Sequence, residues 1–258
     1  MSRETDVRII PLGVGEAFTA RNYTTCLALG AGDAWMLVDC PHPVRKMLRE
    51  GSDAAGLPLD LDRVSGVALS HLHADHCSGL EDFGFYAYYA LRRRARVLAH
   101  AGVAARLWDG LLSAGMGGMP AAPGAGLPTG GRRLEDYFEL TALSESGPAA
   151  LGPFSVECRL TVHPIPTTAF RITAAGRTLG FSADTAYDPE LIAWLEPCDL
   201  IVHEVTTLAA SAAHTPYDRL AALPEPLRAR MRLIHYPDDF DLDASAIEPL
   251  RQGRIYPV

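Results

Sequence analysis

The stretch "VALSHLHADHCSGL" (67–80) sets His71, His73, Asp75 and His76 within six consecutive positions, directly behind an apolar run that reads as a buried strand. Alternate residues of an extended chain point to one side, so His71 and His73 can reach one metal ion. A following turn into a helix lets Asp75 and His76 face a second position. One short loop can thus feed two metals, and the fold has to bring that strand end to a cleft. Imidazoles with a carboxylate suit Zn²⁺ best, and Mn²⁺ or Fe²⁺ also accept such a set.

Further metal-capable side chains close apolar runs in the second half of the chain. His163 ends "RLTVH", Asp184 ends "TLGFSAD" and His235 ends "RLIH". A strand end is where a ligand is held rigidly and still faces a cleft.

The 258 residues suffice for a large core, and 48% hydrophobic with 21% charged residues is an ordinary globular composition. The start, "MSRETDVRIIPLG", is charged and lacks an apolar run long enough for a signal peptide. No stretch approaches the roughly 20 apolar residues of a membrane span. The expectation is a cytoplasmic protein with no membrane partner. Cys26, Cys40, Cys77, Cys158 and Cys198 are widely spaced and form no C-x-x-C pair, so they read as buried thiols. A net charge of -8 argues against strong nucleic-acid binding, which depends on clustered Lys and Arg. The one basic cluster, "LRRRAR" (91–96), reads as a solvated helix end.

Strand-like runs at 7–12, 24–30, 34–40, 66–70 and 96–100 alternate with helical spacing at 44–52, 82–94 and 102–115. The second half repeats the rhythm, with strands at 154–163, 169–176, 178–184, 200–205 and 232–236 and helices at 188–196, 216–231 and 244–251. Between the halves lies 113–131, where Gly and Pro supply 10 of 19 residues, a composition that reads as a linker or a flap. The pattern predicts an α/β layered architecture: one domain over 1–258, made of two αβ halves, about 1–112 and 132–258, joined by that loop.

"HLHADH" is similar to the H-x-H-x-D-H signature of the metallo-β-lactamase fold superfamily, and the likeness extends over nearly the whole chain. Within it the chain resembles the ribonuclease Z and cyclic phosphodiesterase branch. "HPIPTTAFRI" (163–172), "FSADT" (181–185), "VHEVT" (202–206), "AHTP" (213–216) and "LIHYPDDF" (233–240) look like that branch's further motifs. The resemblance implies a four-layer αββα sandwich with two divalent ions at one edge of the sheets. By position, His71, His73 and His163 would hold one ion, Asp75, His76 and His235 the other, and Asp184 would bridge them. Asp39 matches an aspartate that supports the signature loop by hydrogen bonding.

Two ions about 3.5–4 Å apart lower the pKa of a shared water and neutralise a phosphoryl oxygen, so a bridging hydroxide can attack phosphorus. The resemblance implies that His214 protonates the leaving alkoxide, with Glu204 as its partner. His214, Glu204, Asp184 and Asp75 are then the catalytic set. His203 would point away from Glu204's side, His42 and His100 read as structural, Cys77 as an inert thiol, and Thr167 and Thr168 as a turn.

Ribonuclease Z carries a long tRNA-gripping arm between the ligand His and the bridging Asp, whereas only 20 residues separate His163 from Asp184 here. With the acidic charge, this favours a small or cyclic phosphodiester, such as a cyclic nucleotide or cyclic sugar phosphate. Two alternatives stay open on the same site: a lactone or carboxylic-ester hydrolase, and a ribonuclease Z-like RNA nuclease lacking the arm. A non-catalytic interaction protein is disfavoured because every ligand position is filled. Ala74 stands where a di-iron redox site usually has Glu. The sequence leaves homo-oligomer formation open.

Overall fold

The computed structural model describes residues 7–121, 125–126 and 131–258. Strands that are apolar on consecutive positions need cover on both faces, and the first half meets this with one large sheet. It is built from β1 (Val7–Gly13), β2 (Cys26–Ala31), β3 (Ala34–Val38), β4 (Val64–Leu69), β5 (Ala95–His100) and β6 (Phe138–Leu143). The second sheet takes β7 (Ala149–Leu151), β8 (Phe154–Leu160), β9 (Thr168–Ala174), β10 (Arg177–Phe181), β11 (Leu200–Glu204) and β12 (Met231–Ile234). The last strand, β13 (Tyr256–Pro257), returns to the first sheet beside β1. The orders are β13-β1-β2-β3-β4-β5-β6 and β12-β11-β10-β9-β8-β7.

The alternation of side chains assigns the layers. Ile9, Leu27, Leu29, Met36, Val38, Ala68 and Leu98 belong to a core shared with Val156, Phe170, Ile172 and Phe181 of the second sheet. Their neighbours Ile10, Ala28, Leu37, Val67, Leu69 and Val97 belong to a separate core on the other face. That outer core is closed by α1 (Val44–Ala54), α3 (Leu80–Phe85), which follows the short α2 (Ala74–Cys77), and α4 (Ala101–Leu107) with α5 (Ser113–Met116). A short α6 (Leu134–Tyr137) leads into β6. Outside the second sheet lie α7 (Pro189–Leu195), α8 (Tyr217–Ala221) and α9 (Glu225–Arg228). Gly180 packs closely beneath α7, where a Cβ would stand 3.0 Å from Leu195 and 3.1 Å from the Cys198 sulfur. The result is the αββα order implied by the resemblance.

Several elements differ from the sequence expectation. Residues 244–251 form no helix: the Asp241 carboxylate takes the N–H groups of Asp243 and Ala244, and Leu233 exchanges backbone bonds with Glu248 and Leu250. Ile247 and Leu250 thereby reach the core by lying along β12. The helix expected over 216–231 is split into α8 and α9, with Pro224 preceding the second. The start of the Gly/Pro-rich segment continues the preceding helix through Met116, while its residues 122–124 and 127–130 lie outside the described residues. The strands β6 and β7 were not anticipated, being short edges with largely exposed or half-buried positions. Among the described residues, no helix is long and apolar enough to cross a membrane.

β9 and β10 are joined by Ala175 and Gly176, at φ 46° and 77°. Two consecutive positive φ angles mark a type I′ hairpin turn, which favours Asn-Gly because Ala pays a steric cost in this region. Ala175→Asn should therefore stabilise the fold by about 1 kcal/mol, raising the thermal midpoint by roughly 2–4 °C in a denaturation scan.

Candidate metal centre

Strand ends deliver the site. β4 ends at Leu69, Ser70 follows, and the chain then turns at His73 into α2, with the His76 and Cys77 N–H groups donating to the His73 carbonyl at 3.0 and 3.1 Å. The other groups arrive behind β8, β10 and β12 in the second sheet. Asp39, Ala183 and His235 adopt φ of 62°, 50° and 58°, the left-handed region that costs a non-glycine residue about 1 kcal/mol or more. All three lie just past a strand, where the chain is bent sharply to aim a side chain.

The structure brings His71, His73, Asp75, His76, His163, Asp184 and His235 together. They form two groups that share Asp184: His71, His73, His163 and Asp184, and Asp75, His76, Asp184 and His235, with the ligand-type atoms of each group within 4.8 Å of one another. In the first, His73 Nδ1 lies 3.1 Å from His71 Nε2 and 3.2 Å from His163 Nε2. In the second, His76 Nε2 lies 3.3 Å from both Asp75 Oδ2 and Asp184 Oδ1, and His235 Nε2 lies 3.4 Å from Asp184 Oδ2. His71, His76, Asp184 and His235 are buried; His73, Asp75 and His163 are half-buried.

The outer bonds fix which ring nitrogen faces inward. Asp39 accepts from the Ser70 N–H at 2.8 Å, the Ser70 hydroxyl at 2.9 Å and His76 Nδ1 at 2.7 Å. Since the Ser70 hydroxyl donates to Asp39, it accepts from His71 Nδ1 at 2.9 Å. Thr25 donates to the Gly15 carbonyl and accepts from His235 Nδ1 at 2.9 Å. His163 Nδ1 donates to the Ala213 carbonyl at 3.1 Å. With Nδ1 thus occupied in His71, His76, His163 and His235, Nε2 is left to face the cluster in each.

Electrostatics match a cation-binding role. Burial pushes the pKa of His71 well down, that of His163 down and that of His235 to about 4, so these imidazoles are neutral, the form that ligates. Burial opposes charge on Asp184, but His235 and His76 outweigh it and hold the carboxyl well below its usual range. Burial likewise opposes charge on His76, and Asp184 and Asp39 override it, pushing the imidazole well up. His76 Nε2 and Asp184 Oδ1 are buried yet have no hydrogen-bond partner. Lone pairs converging on unpartnered buried atoms fit a divalent ion at each group.

His214 and Glu204 stand beside this cluster. His214 Nδ1 is 3.4 Å from Glu204 Oε2 and 4.0 Å from Asp184 Oδ2. Glu204 is buried, its Oε1 taking the N–H groups of Thr185 and Thr215 at 3.0 Å each. Burial pushes its carboxyl up to about 7. The His214 imidazole is driven down by burial but further up by the Glu204 carboxylate, for a net rise. Its side chain is 30% exposed and so open to the cleft.

Other singled-out residues stay outside. His203 is buried and donates from Nδ1 to the Glu204 carbonyl at 2.7 Å. His42 pairs with Asp82 on the surface, and His100 accepts from the Gly102 N–H at the start of α4. Burial pushes the Cys77 thiol up to about 12, as suits an inert sulfur. Thr167 donates to the Ile165 carbonyl, and the Thr168 N–H to that of Ser70. Sequence reasoning missed Thr25 and Ser70. Ser70 adjoins the signature, a hydroxyl between a strand and its first ligand, whereas Thr25 carries no local signal.

A family model described as anti-Pycsar protein Apyc1 matches residues 7–255. An anti-Pycsar protein Apyc1 of Saccharibacillus brassicae is 31% identical over 255 residues, covering 96% of this chain and 98% of the relative. Another from Paenibacillus sp. (strain J14) is 28% identical over 257 residues, covering 97% and 98%. In fold, the chain is similar to the metallo-β-lactamase fold protein YhfI from Bacillus subtilis, with a TM-score of 0.76 at 19% identity over 98% of this chain and 100% of that one. The paired His/Asp groups at the strand ends thus sit in a metallo-β-lactamase fold, and the chain belongs to the anti-Pycsar protein Apyc1 family.

Proposed function

We propose that this chain is a metal-dependent phosphodiesterase acting on a small or cyclic phosphodiester. His71, His73 and His163 would hold one divalent ion and Asp75, His76 and His235 the other, with Asp184 between them. Zn²⁺ suits the donor set best, with Mn²⁺ or Fe²⁺ as the other candidates. Bound there, the ions supply Lewis acidity toward water and the phosphoryl oxygens.

The observation that carries the choice of phosphodiester over lactone is the pair Glu204 and His214 at the edge of the cluster. Glu204, pinned by two backbone N–H groups, faces His214 Nδ1 and so favours a proton on the imidazole. His214 Nε2 is then the donor to a departing alkoxide, a need that a phosphodiester imposes at neutral pH. The short hairpin between His163 and Asp184 leaves no arm for a large RNA, which supports a small substrate.

The proton-donor role predicts a dependence on leaving group. General acid catalysis is worth about 10²–10⁴-fold, so His214→Ala should lose that much kcat on a ribose or alkyl diester. It should keep most activity on bis-p-nitrophenyl phosphate, whose leaving group departs unprotonated. Equal losses on both substrates would leave His214 as a binding or structural residue and remove the main argument for phosphodiesterase over lactonase. Glu204→Gln should move in the same direction but less far.

A second expectation concerns Asp39, which touches both groups through His76 and the Ser70–His71 chain. Loss of such an outer carboxylate typically weakens metal affinity about 10–100-fold. Asp39→Ala, competed against a chromophoric chelator, should show that weakening for both ions, and unchanged affinity would contradict it.

A further inference from the structure

The ring nitrogens that face away from the cluster are held by acceptors of unequal strength. His76 Nδ1 donates to the Asp39 carboxylate, and His71 Nδ1 reaches the same carboxylate through the Ser70 hydroxyl. His163 Nδ1 donates to the Ala213 carbonyl. For His235 Nδ1 the partner is a neutral hydroxyl, that of Thr25 at 2.9 Å. The two faces of the ring meet imidazoles, with the His76 and His214 centroids 5.1 and 5.3 Å away at interplanar angles of 31° and 22°. A hydroxyl can donate or accept, so it selects a tautomer only when its own proton is committed elsewhere.

That proton is committed. The Gly15 carbonyl takes both the Thr25 N–H and the Thr25 hydroxyl at 3.1 Å each. Thr25 is 1% exposed and His235 3%, which keeps bulk water from replacing either partner. The backbone holds the contact from both sides. The Val14 and Gly15 N–H groups donate to the Tyr23 carbonyl, the Tyr236 N–H to the Val14 carbonyl and the Glu16 N–H to the Tyr236 carbonyl. The close approach needs Gly13, where a Cβ would stand 1.9 Å from the Thr24 carbonyl oxygen. The turn between β1 and β2 is thereby joined to the residue that follows His235.

We infer that Thr25 is a positioning residue that holds His235 in the Nδ1–H tautomer and so controls one ion of the pair, that of the Asp75, His76, Asp184 and His235 group. The inference rests on the proposed two-ion reading and gives a role to a residue outside the motifs that reading uses. Without the hydroxyl, Nδ1–H is buried with no acceptor, or its proton moves to Nε2 and occupies the lone pair that faces the cluster. Both outcomes weaken the same ion. Among the described residues Thr25 makes no hydrogen bond to His71, His73 or His163, so its effect differs from that of Asp39, which serves both groups.

The test compares the full-length parent with Thr25→Val, which keeps the shape and removes the hydroxyl, and Thr25→Ser, which keeps the hydroxyl. Zn²⁺ titrated against a chromophoric chelator should bind about 10–100-fold more weakly at one position in Thr25→Val, with the other within about two-fold of the parent and Thr25→Ser close to the parent at both. In a His163→Ala background Thr25→Val should weaken the remaining ion by the same factor, and in an Asp75→Ala background it should change nothing. Nitrogen NMR of the metal-free chain, with His235 assigned by its absence in His235→Gln, should show the proton on Nδ1 in the parent and in Thr25→Ser, and on Nε2 or divided between the two in Thr25→Val. Equal weakening of both ions, weakening of neither, or failure of Thr25→Ser to restore the affinity would overturn the assignment. If Thr25→Val does not fold, the parent spectrum decides, since a proton on His235 Nε2 there would also overturn it. A parent that binds no metal would remove the two-ion reading itself, a result distinct from a parent with two ions and an unchanged Thr25→Val.

Discussion

Asp184 is the charge around which the site is organised. It is 2% exposed and faces His71, His76 and His235 within 4 Å, with His214 at 4.0 Å. A carboxylate so buried is strongly unfavourable unless compensated, and here compensation comes from imidazoles converging from both sheets. Burial keeps His71 and His235 neutral, which leaves their lone pairs pointing at the same place, while Asp184 and Asp39 hold His76 toward its charged form. The two His/Asp groups that share Asp184 fit cations, and this links the fold to the proposed chemistry.

The two sheets matter because they set the precision of that convergence. His71 and His73 follow a strand of the first sheet, whereas His163, Asp184 and His235 follow strands of the second. Packing between the inner faces therefore fixes the distance between the donors. Asp39, Ser70 and Thr25 then orient individual rings, and the left-handed residues Asp39, Ala183 and His235 pay backbone strain where the chain must leave a strand abruptly.

Much of the candidate site was legible because its His and Asp side chains interrupt apolar runs. "HLHADH" behind "VALS" concentrates polar, metal-capable groups where a core strand would otherwise continue, and His163, Asp184 and His235 repeat that break singly. The alternation that named the strands is preserved in which side chains face which core. Thr25 was invisible because its role depends on a contact 210 positions away, with His235. Residues 244–251 misled because their apolar spacing mimics a helix, while tertiary hydrogen bonds to Leu233 claim the backbone. The edge strands β6 and β7 lack buried alternation, so they gave little signal.

Asp184 belongs to both groups, so the proposed two-ion centre would be coupled through it. Elemental analysis of the metal-replete chain, purified without chelator, tests it most directly when run beside Asp184→Ala. The account predicts two ions per chain in the parent and loss of both together in the variant. One ion in the parent, or loss of a single ion in Asp184→Ala with the other retained at parental affinity, would contradict it.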